Sequence, residues 1–131
     1  MVVGQAMIVA GIGCRKGVGA DAIMAALHEV ALAHHVKIDF IATAPIKGDE
    51  PGLLEAATRL GMAFVVVAQA DFEAAGERTL TRSETSLKHS GSPSLSEASA
   101  LAACGPNSKL IAPRSVLGDI TIAIAVSGDQ P

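Results

Sequence analysis

A glycine-rich segment close to the amino terminus constrains the fold of this chain more than any other feature. It runs Gly11-Ile12-Gly13-Cys14-Arg15-Lys16-Gly17-Val18-Gly19. Its first two residues also end a run of small and β-branched residues at 6–12, a composition typical of a buried strand. Apolar residues at helical spacing then predict a helix over 20–35. The segment therefore joins a strand to a helix N-terminus, which is typical of layered α/β domains.

The remainder of the chain continues this alternation of strands and helices. Proline at the first turn and Gly61 at the end indicate a helix from Pro51 to Leu60. Ser94 and Glu97 match the capping box of a following helix. That helix is predicted at 95–104, strands at 37–44, 62–67, 109–112 and 120–126, and short helical pieces at 70–75 and 84–89. This order predicts an α/β domain with a mixed, mostly parallel central sheet and a C-terminal antiparallel strand pair.

The composition excludes several classes of protein. The 131 residues are 50% apolar with a net charge of −3, which suits one sizeable core and not a disordered chain. No apolar run approaches the ~18 residues of a membrane span, and the first residues do not resemble a signal peptide. We therefore expect a cytoplasmic protein without a membrane partner. Slight acidity and an aromatic content of 2% argue against a nucleic-acid partner.

The cysteines and histidines are not spaced as metal ligands. Cys14 and Cys104 predict no disulfide framework, which fits a reducing compartment. His28 is followed by Glu29, but Leu32 stands where a zinc-binding helix would carry its second histidine. We therefore expect no metal site formed by this chain alone, and no cofactor.

The loops that follow the parallel strands are expected to hold the functional site. In an open α/β sheet, ligands bind beyond the carboxyl ends of the strands. Three segments leave by that end, namely 13–19, 45–52 and whatever follows Val67. Their side chains are the candidates considered next.

The glycine-rich segment is the strongest of these candidates. Unpaired N–H groups at a helix N-terminus favour an anion, and Gly11, Gly13 and Gly17 would let the backbone approach it. Arg15 and Lys16 add two cations. The alternative is a tight turn with two solvated cations. A nucleotide-binding module is a further alternative, although neither the Walker A nor the Rossmann spacing is present.

Two residues are weak candidates for catalysis. Cys14 lies among the cations of the glycine-rich segment, which would lower a thiol pKa, but a small packing residue is the favoured interpretation. Glu50, with Lys47 and Asp49, forms a charged loop at the predicted binding edge. Lys47 would contact an anionic ligand while Glu50 acts as a base, or Asp49 and Glu50 cap the helix that begins at Pro51.

Other polar side chains extend the candidate site. Arg114, between the last two predicted strands, is either a hairpin-tip charge or a carboxylate clamp. Ser83, Thr85 and Ser86 lie in a polar loop, where hydroxyls bind either a ligand or, more commonly, the loop's own backbone.

Four segments resemble, in order and spacing, the CobE / CbiG C-terminal domain family of cobalamin biosynthesis. The first resembles the family's G-I-G-C-R-[KR]-G, and the others resemble K-x-D-E-x-G-L, S-V-x-E-A-A-A-L and V-T-V-A-I-A. They begin at Gly11, Lys47, Ser94 and Ile120. Arg114 departs from the pattern, because family members often carry Lys before the last strand.

The resemblance implies a single three-layer α/β/α domain over residues 1–131 and a place in corrin-ring formation. It implies a precorrin or corrinoid intermediate as partner, and possible contact with other corrin-pathway enzymes. The length looks like stand-alone CobE. Binding without proven catalysis is favoured, because the sequence supplies cations and a loop but no recognisable set of nucleophile, base and orienting residue. The alternative is CbiG-like hydrolysis of a cobalt-precorrin lactone with release of acetaldehyde. A cleft with Arg15, Lys16, Lys47 and Arg114 would suit such a polycarboxylate.

Overall fold

A computed structural model describes residues 6–128 of the chain apart from residues 91 and 93. Its strands are β1 (Ile8–Cys14), β2 (Phe40–Thr43), β3 (Ala63–Val66), β4 (Lys109–Leu110), β5 (Ser115–Leu117) and β6 (Ile120–Val126). Its α-helices are α1 (Ala20–His34), α2 (Pro51–Leu60), α3 (Gln69–Ala75), α4 (Glu84–Ser90) and α5 (Leu95–Cys104). Short 3-10 turns occupy Pro45–Lys47 and Gly76–Arg78.

The strands of this described part form one mixed sheet in the order β3-β2-β1-β6-β4, with β5 also paired to β6. β1 pairs with β2 in parallel, and β2 with β3 in parallel. β6 runs antiparallel to β1 along seven residue pairs, from Ile8 opposite Val126 to Cys14 opposite Ile120. The carboxyl ends of β1, β2 and β3 therefore meet at one edge, as the sequence predicted.

Helices cover both faces of the sheet, so the domain has three layers, as the family resemblance implied. On one face, α1 and α2 pack through Ile23 and Leu53 against Ile12 and Ile41. On the other, α3 and α5 pack through Phe72 and Leu101 against the opposite side chains of β1, β2 and β6. The side chains of successive strand residues point to opposite faces of the sheet, so the strands contribute to a separate core on each face.

Most element positions match the prediction, and two details were wrong. The helices Pro51–Leu60 and Leu95–Cys104 begin and end where proline, glycine and serine indicated. The antiparallel pairing of β4 with β6 is also confirmed. Strand β5 was missed. The capping box was wrong as well, because the Ser94 side chain makes no capping hydrogen bond and its buried Oγ has no partner among the described residues.

Candidate functional site

A cleft of about 490 Å³ lies at the carboxyl ends of the parallel strands. Its walls come from the end of β1, the turn after β2, the polar segment before α5 and the β5–β6 turn. The lining residues include Cys14, Ile46, Ser83 and Gly118 from these segments, and Leu95 at the start of α5. The volume falls within the range of small-molecule sites, about 300–1,000 Å³. The binding edge inferred from strand order is thus concave in the folded chain.

Three cations and one acid, Asp119, line the cleft, so its lining carries a net positive charge on a chain of net charge −3. Arg15 is exposed and pairs with Asp119 across 3.2 Å. Lys47 pairs with Glu50 across 3.4 Å. Within the described part of the chain, no ion pair engages the half-buried Arg114. Arg114 is thus the lining cation whose charge is least compensated.

The glycine-rich segment already holds an anion, and that anion is the chain's own Glu50. The N–H of Gly17, at a φ of 86°, donates to Glu50 Oε2 across 3.0 Å. Glu50 is buried and stands just before the first residue of α2. The hydrogen bond from Gly17 holds the pKa of the Glu50 carboxyl below its ordinary value against the opposing effect of burial, and Lys47 lowers it further. Glu50 therefore remains ionised and ties the loop to α2.

Close backbone packing fixes two of the glycines. A Cβ on Gly52 would lie 2.0 Å from the carbonyl oxygen of Val18, so α2 touches the glycine-rich segment directly. A Cβ on Gly11 would lie 2.0 Å from the carbonyl oxygen of Ser96. Gly11 is therefore buried under α5, and the ligand contact expected there has no surface on which to act. Gly13, further along β1, does line the cleft.

The candidate nucleophile has the opposite environment from the one that flanking cations suggested. Cys14 is half-buried at the end of β1 and lines the cleft. Burial raises the pKa of its thiol above the ordinary value, an effect that Lys47 opposes and Glu50 reinforces. A thiol of raised pKa carries little thiolate at neutral pH, so the packing interpretation of Cys14 fits better.

Two other predicted site residues lie away from the cleft. Lys16 points into a separate hollow of about 330 Å³, which Gly17 and Glu50 also line. Asp49 is exposed and is not part of the cleft lining. The cluster expected from sequence thus separates, with Arg15 and Lys47 on one side of the loop and Lys16 on the other.

The polar segment before α5 forms the remaining wall. Ser83, Thr85 and Ser86 all line the cleft. The Ser86 hydroxyl accepts a hydrogen bond from the backbone N–H of Leu95 at the start of α5. Ser83 Oγ similarly accepts from the backbone N–H of Ser86. The Ser83 and Ser86 hydroxyls therefore hold the start of α4 and join it to the start of α5, as well as lining the cleft.

The hydrogen-bond partners of Glu97 differ from the one that the sequence predicted. Its side chain is fully buried and does not reach back to the start of α5. Instead it accepts hydrogen bonds from Leu80, Thr81 and Arg114, all outside its own helix. The sequence signal was an acidic residue one helical turn before Ala100 and Leu101, both of which are buried.

A larger groove of about 610 Å³ opens at the end of α1, but its chemistry is less specific. It is lined mainly by apolar side chains such as Leu27 and Leu60, with His28 and His35 at its margin. In the parts of the chain that the structure describes, no group of His, Cys, Asp or Glu could hold a metal ion. No helix in those same parts is long and apolar enough to cross a membrane. The cleft therefore remains the candidate site.

The sequence matches the family model described as Cobalamin synthesis G C-terminus over residues 8–125. The chain belongs to this family. A crystal structure of cobalamin biosynthesis protein chiG from Agrobacterium tumefaciens is 54% identical, with 94% of this chain and 100% of that one covered and a TM-score of 0.78. This member of the Cobalamin synthesis G C-terminus family is accordingly a cobalamin biosynthesis protein of the CobE/CbiG type.

Two further structures place the fold. CobE, described as a protein from the cobalamin (vitamin B12) biosynthetic pathway, is 29% identical, with 100% of this chain and 97% of that one covered and a TM-score of 0.91. A homolog of cobalamin biosynthesis protein G from Sulfolobus solfataricus shares the fold at 24% identity and a TM-score of 0.65, covering 97% of this chain and 38% of that one. No curated protein sequence matches significantly.

Proposed function

We propose that this protein binds a precorrin or corrin intermediate through its carboxylate arms, in the cleft at the carboxyl end of β1. The observation that carries the proposal is the half-buried Arg114, which no acid of the described residues pairs, beside Arg15 and Lys47. A guanidinium binds a carboxylate through two parallel hydrogen bonds. Membership in a cobalamin biosynthesis family supplies the class of polycarboxylate.

The size and lining of the cleft fit one edge of such a ligand. Corrin precursors combine an apolar macrocycle with several acidic arms. The cleft offers apolar surface from Ile46 and Leu95 between the cationic side chains. A volume of about 490 Å³ accommodates the arms and one edge of the ring, while the rest of the macrocycle stays outside.

Binding is a better match to these residues than lactone hydrolysis. A hydrolase needs a base that is free to take a proton from water. Both oxygens of Glu50 are engaged, one by Gly17 and the other by Lys47, and its lowered pKa makes it a weak base. Burial keeps Cys14 protonated. Glu50 is therefore a brace for the glycine-rich segment in this proposal.

Absorbance titration with cobyrinic acid and with its fully esterified form tests the proposal. The acid is expected to bind and the ester to bind far more weakly, because the cleft recognises carboxylates. Arg114→Gln should weaken binding of the acid by about tenfold to a hundredfold, the size of a lost charged hydrogen bond. Lys109→Gln is the charge-matched control, because Lys109 lies on β4 opposite Val126, at the far edge of the sheet.

Three results would refute the proposal. The first is failure of the unmodified protein to bind cobyrinic acid, and the second is equal affinity for the acid and the ester. The third is unchanged affinity in Arg114→Gln, which would locate the ligand elsewhere on the chain.

A further inference from the structure

The buried carboxylate of Glu97 accepts four hydrogen bonds from other segments of the chain. Its Oε1 accepts from the backbone N–H groups of Leu80, at 2.7 Å, and Thr81, at 2.8 Å. Its Oε2 accepts from the Thr81 hydroxyl, at 2.7 Å, and from the backbone N–H of Arg114, at 2.8 Å. The residue has no solvent exposure. One buried side chain on α5 therefore holds two separate segments of the chain.

Both of those segments lead directly into the cleft. Leu80 and Thr81 precede Ser83, one of the four hydroxyl residues that line it. Arg114 supplies its least compensated cation. The segment that leads to Ser83 and the segment that carries Arg114 are thus both hydrogen-bonded to the two carboxylate oxygens of Glu97.

An ionised carboxylate is the side chain that this arrangement requires. Four donors converge on Glu97, and only a carboxylate offers acceptor sites to all of them without presenting a donor of its own. Burial alone would raise the pKa of Glu97, but the hydrogen bonds from Thr81, Arg114 and Leu80 together lower it. No ion pair with Glu97 is found in the described part of the chain. The charge is therefore balanced by peptide and hydroxyl dipoles, whose positions it fixes in turn.

We infer that Glu97 is a positioning residue for ligand recognition, which fixes the backbone at Arg114 so that the guanidinium stands in the cleft. The inference rests on the proposed function of that cleft. Glu97 itself is buried and touches no ligand. Its effect on affinity passes through Arg114, which distinguishes it from a residue that merely stabilises the fold.

Glu97→Gln distinguishes these two segments, because the amide can keep its hydrogen bonds to one of them but not to the other. With its oxygen toward Leu80 and Thr81, the amide keeps both of those backbone bonds, and its NH₂ donates to the Thr81 hydroxyl, which also accepts. The one remaining contact then sets the NH₂ against the N–H of Arg114, two donors face to face. The reverse orientation opposes two backbone N–H groups, so the first is preferred. The substitution therefore releases the Arg114 backbone selectively.

Hydrogen exchange tests the positioning, and a double-mutant cycle tests its consequence. In Glu97→Gln the amide of Arg114 is expected to lose protection while those of Leu80 and Thr81 keep theirs. Affinity for cobyrinic acid should fall by about tenfold. In an Arg114→Gln background the same substitution should have little further effect, because the group it positions has gone. Thr81→Val is the matched control, since it removes one hydrogen bond from Oε2 but leaves the Arg114 contact.

Each outcome decides something. Retained protection of the Arg114 amide in Glu97→Gln overturns the inference, and so does a loss of affinity that adds in full to that of Arg114→Gln. If Glu97→Gln fails to fold, exchange in the unmodified protein decides instead. There the amides of Leu80, Thr81 and Arg114 should open together, and independent opening of Arg114 contradicts the inference. Failure of the unmodified protein to bind cobyrinic acid refutes the proposed function, whereas the exchange results bear on Glu97 alone.

Discussion

Replacing His35 with glycine is expected to stabilise the protein, because the chain ends two neighbouring helices in the same way with different residues. After α1, the N–H of His35 donates to Leu32 and the next N–H donates to Ala31. After α2, Gly61 and the residue after it make the same pair of bonds to Thr58 and Ala57. Both positions are left-handed, with φ of 54° at His35 and 67° at Gly61. Among the described residues, His35 is the only non-glycine with positive φ.

The magnitude follows from this pair of helix ends. The left-handed conformation destabilises the folded state by roughly 1–2 kcal/mol for an L-residue. Glycine avoids this strain, but part of the gain is offset because glycine loses more conformational entropy on folding. His35→Gly should therefore raise the free energy of unfolding by about 1 kcal/mol, or the melting temperature by about 4 °C for a domain of this size. Gly61→His should lower it by a similar amount, since a Cβ at Gly61 would meet nothing within 4 Å and only the dihedral angle matters.

Urea unfolding of the two variants and the unmodified protein measures both effects. Unchanged denaturant slopes would show that the folded and unfolded states are otherwise alike. Stability of His35→Gly at or below that of the unmodified protein would refute the reasoning. It would mean that the exposed imidazole gains more from its surroundings than its backbone conformation costs.

Two further outcomes follow from the glycine-rich segment. Gly52→Ala should destabilise the protein by about 1–3 kcal/mol in urea unfolding, because the new methyl would lie 2.0 Å from the Val18 carbonyl oxygen, whereas a stability change near zero would disprove that contact. Glu50 contributes stability above its ordinary pKa of 4.5, and this contribution is lost as the pH falls through its lower folded pKa. The stability difference between the unmodified protein and Glu50→Gln should accordingly shrink with acidification, and a constant difference between pH 7 and pH 3 would contradict the hydrogen bond from Gly17.

The sequence predicted the parts of the fold that local signals determine. Pro51 and Gly61 restrict the backbone where they stand, so α2 was placed to the residue. The position of the cleft also followed, because strand order decides which loops meet. Strand β5 was missed because it has three residues and is held by pairing with β6 rather than by its own pattern.

Side-chain partners from distant segments could not be predicted in the same way. The pattern S-x-x-E is a local signal, and it assigned Glu97 to the start of its own helix. Its actual donors lie 16 and 17 residues away along the chain, in segments without regular structure. Arg15 and Lys16 are adjacent in sequence, yet the turn at Gly17 sends them to different hollows. Loop geometry decides such outcomes, and composition does not encode it.

The pairing of β1 with β6 also determines where this unit tolerates attachment. The backbone N–H of Met7 donates to the Ser127 hydroxyl across 2.8 Å, so the polypeptide enters and leaves at adjacent points. Those points lie at the amino end of β1, and the cleft lies at its carboxyl end. A fluorescent protein or an immobilisation tag fused at either point would therefore lie on the side of the domain opposite the cleft. Surface-coupled assays should accordingly leave the mouth of the cleft open to solution.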